Sequence, residues 1–184
     1  MLVVQIFLLI VIPFFMSSQK EELLLDFKNQ DDIPRMLIIN DGVMGGISTS
    51  DIEYSNEGYL RFAGNVSLEN NGGFASFRSQ STTYNLSEFE GIKLRIRGDG
   101  KKYSFRLRTS RSMDGVAYAA DFQSMKNEWQ EVTIPFSDFT PRFRGRIIMN
   151  AGPLDSSSIR QLGFLISDRQ QGPFALEIDW IKAY

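Results

Sequence analysis

From Glu21 onward, apolar residues return at every second position, and no stretch keeps a helical period for three turns. In "GIKLRIRGDGKKYSFRLRT", Ile92, Leu94 and Ile96 alternate with Lys93, Arg95 and Arg97, and Tyr103, Phe105 and Leu107 alternate with Ser104, Arg106 and Arg108. A period of two places one set of side chains on a buried face and the other on a polar face. The "GDG" between the two runs predicts a hairpin that carries all four arginines on one surface. The same alternation marks "GYLRFAGNVSL", "GGFASFRS", "EWQEVTIPF", "RGRIIMN", "IRQLGFLIS" and "GPFALEIDWIKAY", where Phe174, Leu176, Ile178 and Trp180 share a side. Gly, Asn, Asp and Ser separate these runs. "SEFEGI" and "PLDSSSIRQLG" are each long enough for one helical turn in a connection. The fold class is therefore all-β, a β-sandwich or jelly roll with short helical turns.

Composition narrows the chemistry. The 184 residues are 42% hydrophobic, enough for one core, so residues 20–184 read as a single β-sandwich domain. There is no Cys and no His. That excludes disulfides, Cys/His zinc sites, thiolate nucleophiles and histidine-based triads. No pair of carboxylates stands out for glycosidase chemistry, so the chain reads as a non-enzyme with no cofactor. Lys and Arg number 20 against 22 Asp and Glu, with no basic tail, which argues against nucleic acid as a partner.

The segment "MLVVQIFLLIVIPFFMSSQ" stands apart. Its apolar run is shorter than the roughly twenty residues that span a bilayer, and it predicts a signal peptide, or an N-terminal anchor as the only membrane link. The expected location is accordingly periplasmic or secreted.

"NDGVMGGIS" is rich in glycine but runs into a β-branched, polar stretch instead of a helix, so it lacks the context of a phosphate loop. Asp41, Gly42, Gly45 and Gly46 read as a structural turn, in which glycine takes positive φ or lets two backbones touch. Asp99 in "GDG" is explained by its turn without a calcium ion, because one carboxylate is not a site.

Five blocks in order, "NDGVMGGIS", "NNGGFASFRS", "LRIRGDGKKYSFRLRT", "WQEVTIPFSDFTPRFRGR" and "GFLISDRQQGPFALEIDWI", resemble the complex I intermediate-associated protein 30 family from Asn40 almost to the last residue. The resemblance implies a galactose-binding-like β-sandwich without catalytic machinery and, for mitochondrial members, a chaperone-like role in assembling respiratory complex I.

Binding candidates come from charge and flexibility. Arg95, Arg97, Arg106 and Arg108 form a ladder suited to a carboxylate, a phosphate, a sugar or an acidic protein segment. Alternatively, Glu177 and Asp179 on the last strand pair with it. Asn70 and Asn71 in "NNGGF" could meet sugar hydroxyls. Arg142 and Arg144 lie on the predicted loop "PRFRGR", beside Phe143, as a protein contact. The expected partner is a protein, or else an anionic or glycan ligand, with a carbohydrate-binding module as the alternative function.

Overall fold

The computed structural model describes residues 20–28, 33–110, 112 and 114–184. The N-terminal segment 1–19, with its signal-peptide reading, lies outside the described residues. The strands are β1 (Glu22–Asp26), β2 (Met36–Ile38), β3 (Thr49–Tyr54), β4 (Leu60–Val66), β5 (Ala75–Ser79), β6 (Gly91–Arg97) and β7 (Lys102–Arg108). They continue as β8 (Ala117–Gln123), β9 (Trp129–Pro135), β10 (Thr140–Phe143), β11 (Arg146–Ile147), β12 (Gln161–Ile166) and β13 (Gly172–Ala183). Two antiparallel sheets result. The first runs β3-β4-β13-β6-β9, with β1 also against β13. The second runs β11-β10-β8-β7-β12-β5-β2.

The sheets pack face to face through aromatic rings that the alternation points inward. Phe62 and Phe174 of the first sheet lie 4.9 Å apart, and Phe62 meets Phe77 of the second at 4.9 Å. Phe164 stands 5.4 Å from Phe77 and 5.0 Å from Phe105. These distances fall in the range where tilted and edge-to-face rings attract beyond their buried area. Leu60, Ile92, Leu94, Ile96, Leu107, Leu176 and Ile178 complete a core closed to solvent.

The expected hairpin at "GDG" does not form. β6 pairs with β13 and β9, whereas β7 pairs with β8 and β12, so the chain crosses from one sheet to the other at Gly98 to Lys101. The Asp99 carboxylate holds this crossover, accepting from the Lys101 amide at 3.0 Å, the Tyr103 hydroxyl at 3.1 Å and the Ala175 amide at 3.0 Å. Nor is "PRFRGR" a plain loop: Thr140–Phe143 is strand β10, and only Arg144 and Gly145, both at positive φ, make the turn into β11. Ser156–Ser158 forms a single 3-10 turn, capped by Asp155.

Candidate functional site

The stretch 40–48 is a knot tied around one carboxylate. Asp41 begins a 3-10 turn, Asp41–Met44, and is wholly buried. Its Oδ1 accepts from the Ser48 amide at 2.9 Å. Its Oδ2 accepts from the Ser48 hydroxyl, from the Gly73 amide at 2.7 Å and from the Phe74 amide at 3.2 Å. Burial pushes this carboxyl up, but the four bonds to its ionised form outweigh that and hold it below the usual carboxylate range. Gly45 closes the turn at φ +91°, in the left-handed region. Gly46 has a different reason to be glycine: a Cβ there would sit 2.8 Å from Asp41 Cβ. Around Gly42 the space is open. Asn70 and Asn71, at φ 54° and 59°, form an exposed left-handed turn just before the Gly73 and Phe74 amides that bind the same carboxylate. The sequence did not single out Ser48, seven residues from Asp41, or the Gly73 and Phe74 amides, 32 and 33 residues away, because no local period links these positions.

The crossover splits the arginine ladder between two surfaces. Arg95 and Arg97 sit on the outer face of the first sheet. There Arg97 pairs with Glu177, and Arg95 lies 3.4 Å from Asp179. The hydrogen bond that Arg97 donates to Glu177 raises the pKa of Arg97. Its guanidinium also lies 4.8 Å from the centre of the Trp129 ring and 5.5 Å from that of Tyr59. Both arginines are engaged.

The outer face of the second sheet differs. One row across it reads Thr140, Ala119, Arg106, Gly163, Arg78 and Leu37. In the next row Arg142 stands opposite Ala117, and Arg108 opposite Gln161. Small residues thus separate the guanidinium-bearing strands. Arg142 forms a two-pronged pair with Asp121 at 3.1 and 3.2 Å, and Lys102 shares that carboxylate at 3.5 Å. Burial pushes Asp121 up, but the hydrogen bonds from Arg142 and the charges of Arg142 and Lys102 hold it below the usual range. Arg144, in the exposed turn, pairs with Asp114 at 2.8 Å. Arg108 donates to the Gly115 carbonyl at 2.6 Å.

Arg106 has no such partner among the described residues, and its Nε is shut off from solvent without an acceptor. Burial, then the charges of Arg108 and Arg142, push its pKa down to about 10 against the opposing pull of Asp121. Close by, the Oε1 of Gln161 is buried without a donor, while its Nε2 donates to the Ser79 carbonyl at 3.1 Å. Arg78, buried in the same row, was not among the sequence candidates. Its signal was there, since the inward alternation of Ala75, Phe77 and Ser79 turns residue 78 to the arginine face.

A sequence profile described as Complex I intermediate-associated protein 30 matches residues 25–178. The chain is 36% identical over 166 residues to an uncharacterized protein of Schizosaccharomyces pombe, covering 79% of this chain and 75% of that one. It is 28% identical over 187 residues to the mitochondrial Complex I intermediate-associated protein 30 of Mus musculus, covering 86% of this chain and 54% of that protein. To the protein of the same name in Drosophila melanogaster it is 26% identical over 182 residues, covering 87% of this chain and 62% of that protein. The chain therefore spans between half and two thirds of the length of these two relatives. Among solved structures, a family 11 carbohydrate-binding module of a Clostridium thermocellum cellulosomal cellulase matches with TM-score 0.68 and 18% identity over 91% of this chain and 95% of that one. At that identity the likeness shows the sandwich fold alone. The expectation of export is overturned, because the mouse and fly relatives are both named as mitochondrial. An apolar N-terminal run reports preference for an apolar medium, and that preference does not specify which membrane or compartment receives the chain.

Proposed function

The chain belongs to the complex I intermediate-associated protein 30 family, and from that premise we propose that it is a mitochondrial, non-catalytic assembly factor. In this reading one β-sandwich domain holds a protein partner while respiratory complex I is built. The observation that carries the protein-binding part is the outer face of the second sheet. Its outward positions on β5, β12, β7 and β8 bear Arg78, Lys102, Arg106, Arg108 and Asp121, with Leu165 and otherwise small or amide side chains. No aromatic ring faces outward from those four strands. Sugar rings pack their C–H faces on exposed aromatic rings, so this face suits an acidic polypeptide better than a glycan. Arg forks match carboxylates in two-pronged geometry.

The test is genetic. Mitochondria from cells lacking the protein should accumulate partial assemblies of complex I on native gels and lose NADH:ubiquinone oxidoreductase activity, with both defects reversed by the wild-type gene. Fully assembled complex I at normal level in the deletion strain would end this reading.

A further inference from the structure

An unpaired buried cation is costly. Closing part of a guanidinium off from water without giving it an acceptor is unfavourable, and proteins normally surround such a group with carboxylates or carbonyls. On the outer face of the second sheet Arg106 is half-buried, its Nε is closed off from solvent, and among the described residues neither a carboxylate nor a carbonyl accepts from that Nε. Asp121, the nearest carboxylate on that face, is already taken by Arg142 and Lys102. Asp114 is engaged by Arg144 in the exposed turn. The face is therefore short of negative charge at one position: the row where Arg106 stands between Ala119 and Gly163. Those two residues carry almost no side chain, so the surface is low on both sides of the guanidinium.

A second group marks the same spot. Gln161, whose Oε1 is buried without a donor, is the register partner of Arg108, two residues along β7 from Arg106. The missing occupant thus has to supply an oxyanion to Arg106 and an N–H or O–H to Gln161, within the span of adjacent residues. An extended polypeptide with an acidic side chain brings both, because its backbone N–H groups alternate with its side chains. Phosphate dianion offers acceptors and a single O–H on one compact tetrahedron, not the alternation of side chain and backbone N–H along an extended segment.

We propose that Arg106, with Arg108 and Gln161 beside it, forms a carboxylate-binding site on the outer face of the second sheet, which takes a Glu or Asp side chain from an extended segment of a partner protein. The proposal rests on the protein-binding reading above and names the chemistry of the contact. Arg106 supplies the charge and the fork. Arg108 adds a second cation at the edge, and Gln161 accepts a backbone N–H and so fixes the direction of the segment.

The experiment uses the whole protein and a short fluorescein-labelled peptide alternating Glu and Ser, with a Gln-Ser peptide for comparison, followed by anisotropy. The Glu-Ser peptide should bind and the Gln-Ser peptide should not, and binding should weaken as salt rises. Arg106→Gln should weaken binding about tenfold or more, and Arg106→Lys should retain part of it, because Lys keeps the charge but not the fork. Arg61→Gln, on the other sheet, should bind as wild type does. Inorganic phosphate in large excess at constant ionic strength should not displace the peptide. Arg106→Gln should melt no lower than wild type, since it removes a half-buried charge whose Nε has no acceptor.

Any of the following overturns the site: no binding of the Glu-Ser peptide to wild type, unchanged binding by Arg106→Gln, equal loss in Arg61→Gln, displacement by phosphate, or a lower melting temperature in Arg106→Gln. If the deletion strain assembles complex I normally while the peptide still depends on Arg106, the assembly role fails and the site stands. If assembly fails in the deletion strain and the peptide does not bind, the site fails and the role stands.

Discussion

Replacing Asp41 by Asn changes one heavy atom of a buried carboxylate that accepts four hydrogen bonds and keeps its shape. In the wild type four donors converge on it, one at Oδ1 and three at Oδ2. An amide has a single acceptor oxygen. Turned toward the three donors, it sets its NH2 against the Ser48 N–H, which loses its acceptor inside a buried site at a cost of about 1 to 3 kcal/mol. The three remaining bonds lose the assistance of charge, which roughly halves such bonds. Together these effects predict a loss of about 3 to 4 kcal/mol, large for a single substitution. For a domain of this size each kcal/mol lowers the melting temperature by roughly 2 to 4 °C, so the variant should melt about 10 °C lower. The pH dependence supplies the diagnostic. Because the folded carboxyl is held below its ordinary value, its contribution is complete above the unfolded pKa of about 4 and fades as pH falls through the lowered folded value. The gap between wild type and Asp41→Asn should therefore be widest near neutrality and close on acidification. Urea unfolding followed by tryptophan fluorescence, repeated from pH 7 downward, measures it. A gap below about 1 kcal/mol at pH 7, or one that does not shrink in acid, would refute the reasoning.

The two glycines that follow should separate by mechanism. Gly46→Ala drives a methyl group into the Asp41 side chain and should cost about 2 to 4 kcal/mol, whereas Gly45→Ala meets open space and should cost only the left-handed backbone strain, about 1 to 2 kcal/mol. Thermal melts of both variants check the order. A double-mutant cycle on Arg97→Gln and Glu177→Gln should give a coupling of about 1 kcal/mol that falls in high salt, because the pair is only partly shielded from solvent. A coupling unaffected by salt would contradict that assignment.

Alternation carried most of the fold, and its silence about pairing explains what went astray. Ile92, Leu94 and Ile96 point inward as expected, and so do Tyr103, Phe105 and Leu107. They do so from opposite sheets across the core, and a strand shows the same period whichever neighbour it hydrogen-bonds to. The Asp-Gly turn signal then suggested the nearest partner in sequence, when the actual partners were β13, β9, β8 and β12. The pairing of Glu177 and Asp179 with Arg97 and Arg95 was within reach because it depends on side-chain parity along β13. The isolation of Arg106 was not. It depends on Asp121 being occupied by Arg142 and Lys102, which involves three strands and a register that no local pattern encodes. The Asp41 knot was hidden in the same way, since its donors lie in two separate segments, at Ser48 and at Gly73 and Phe74.

β13 lies at the middle of the first sheet and pairs with β1, β4 and β6, so Ala183 stands opposite both Glu22 and Ile92. Closing contacts that far apart along the chain means giving up loop entropy before any pairing energy is returned. The molecule should therefore be a slow folder, on the scale of milliseconds to seconds. Until β13 arrives, β1, β4 and β6 have unsatisfied edges, open to pairing with other chains or to capture by a holding chaperone. A strand that follows all its partners in sequence is thus the one around which the first sheet must gather, and a nascent chain still lacking it is a set of sticky strands without a centre.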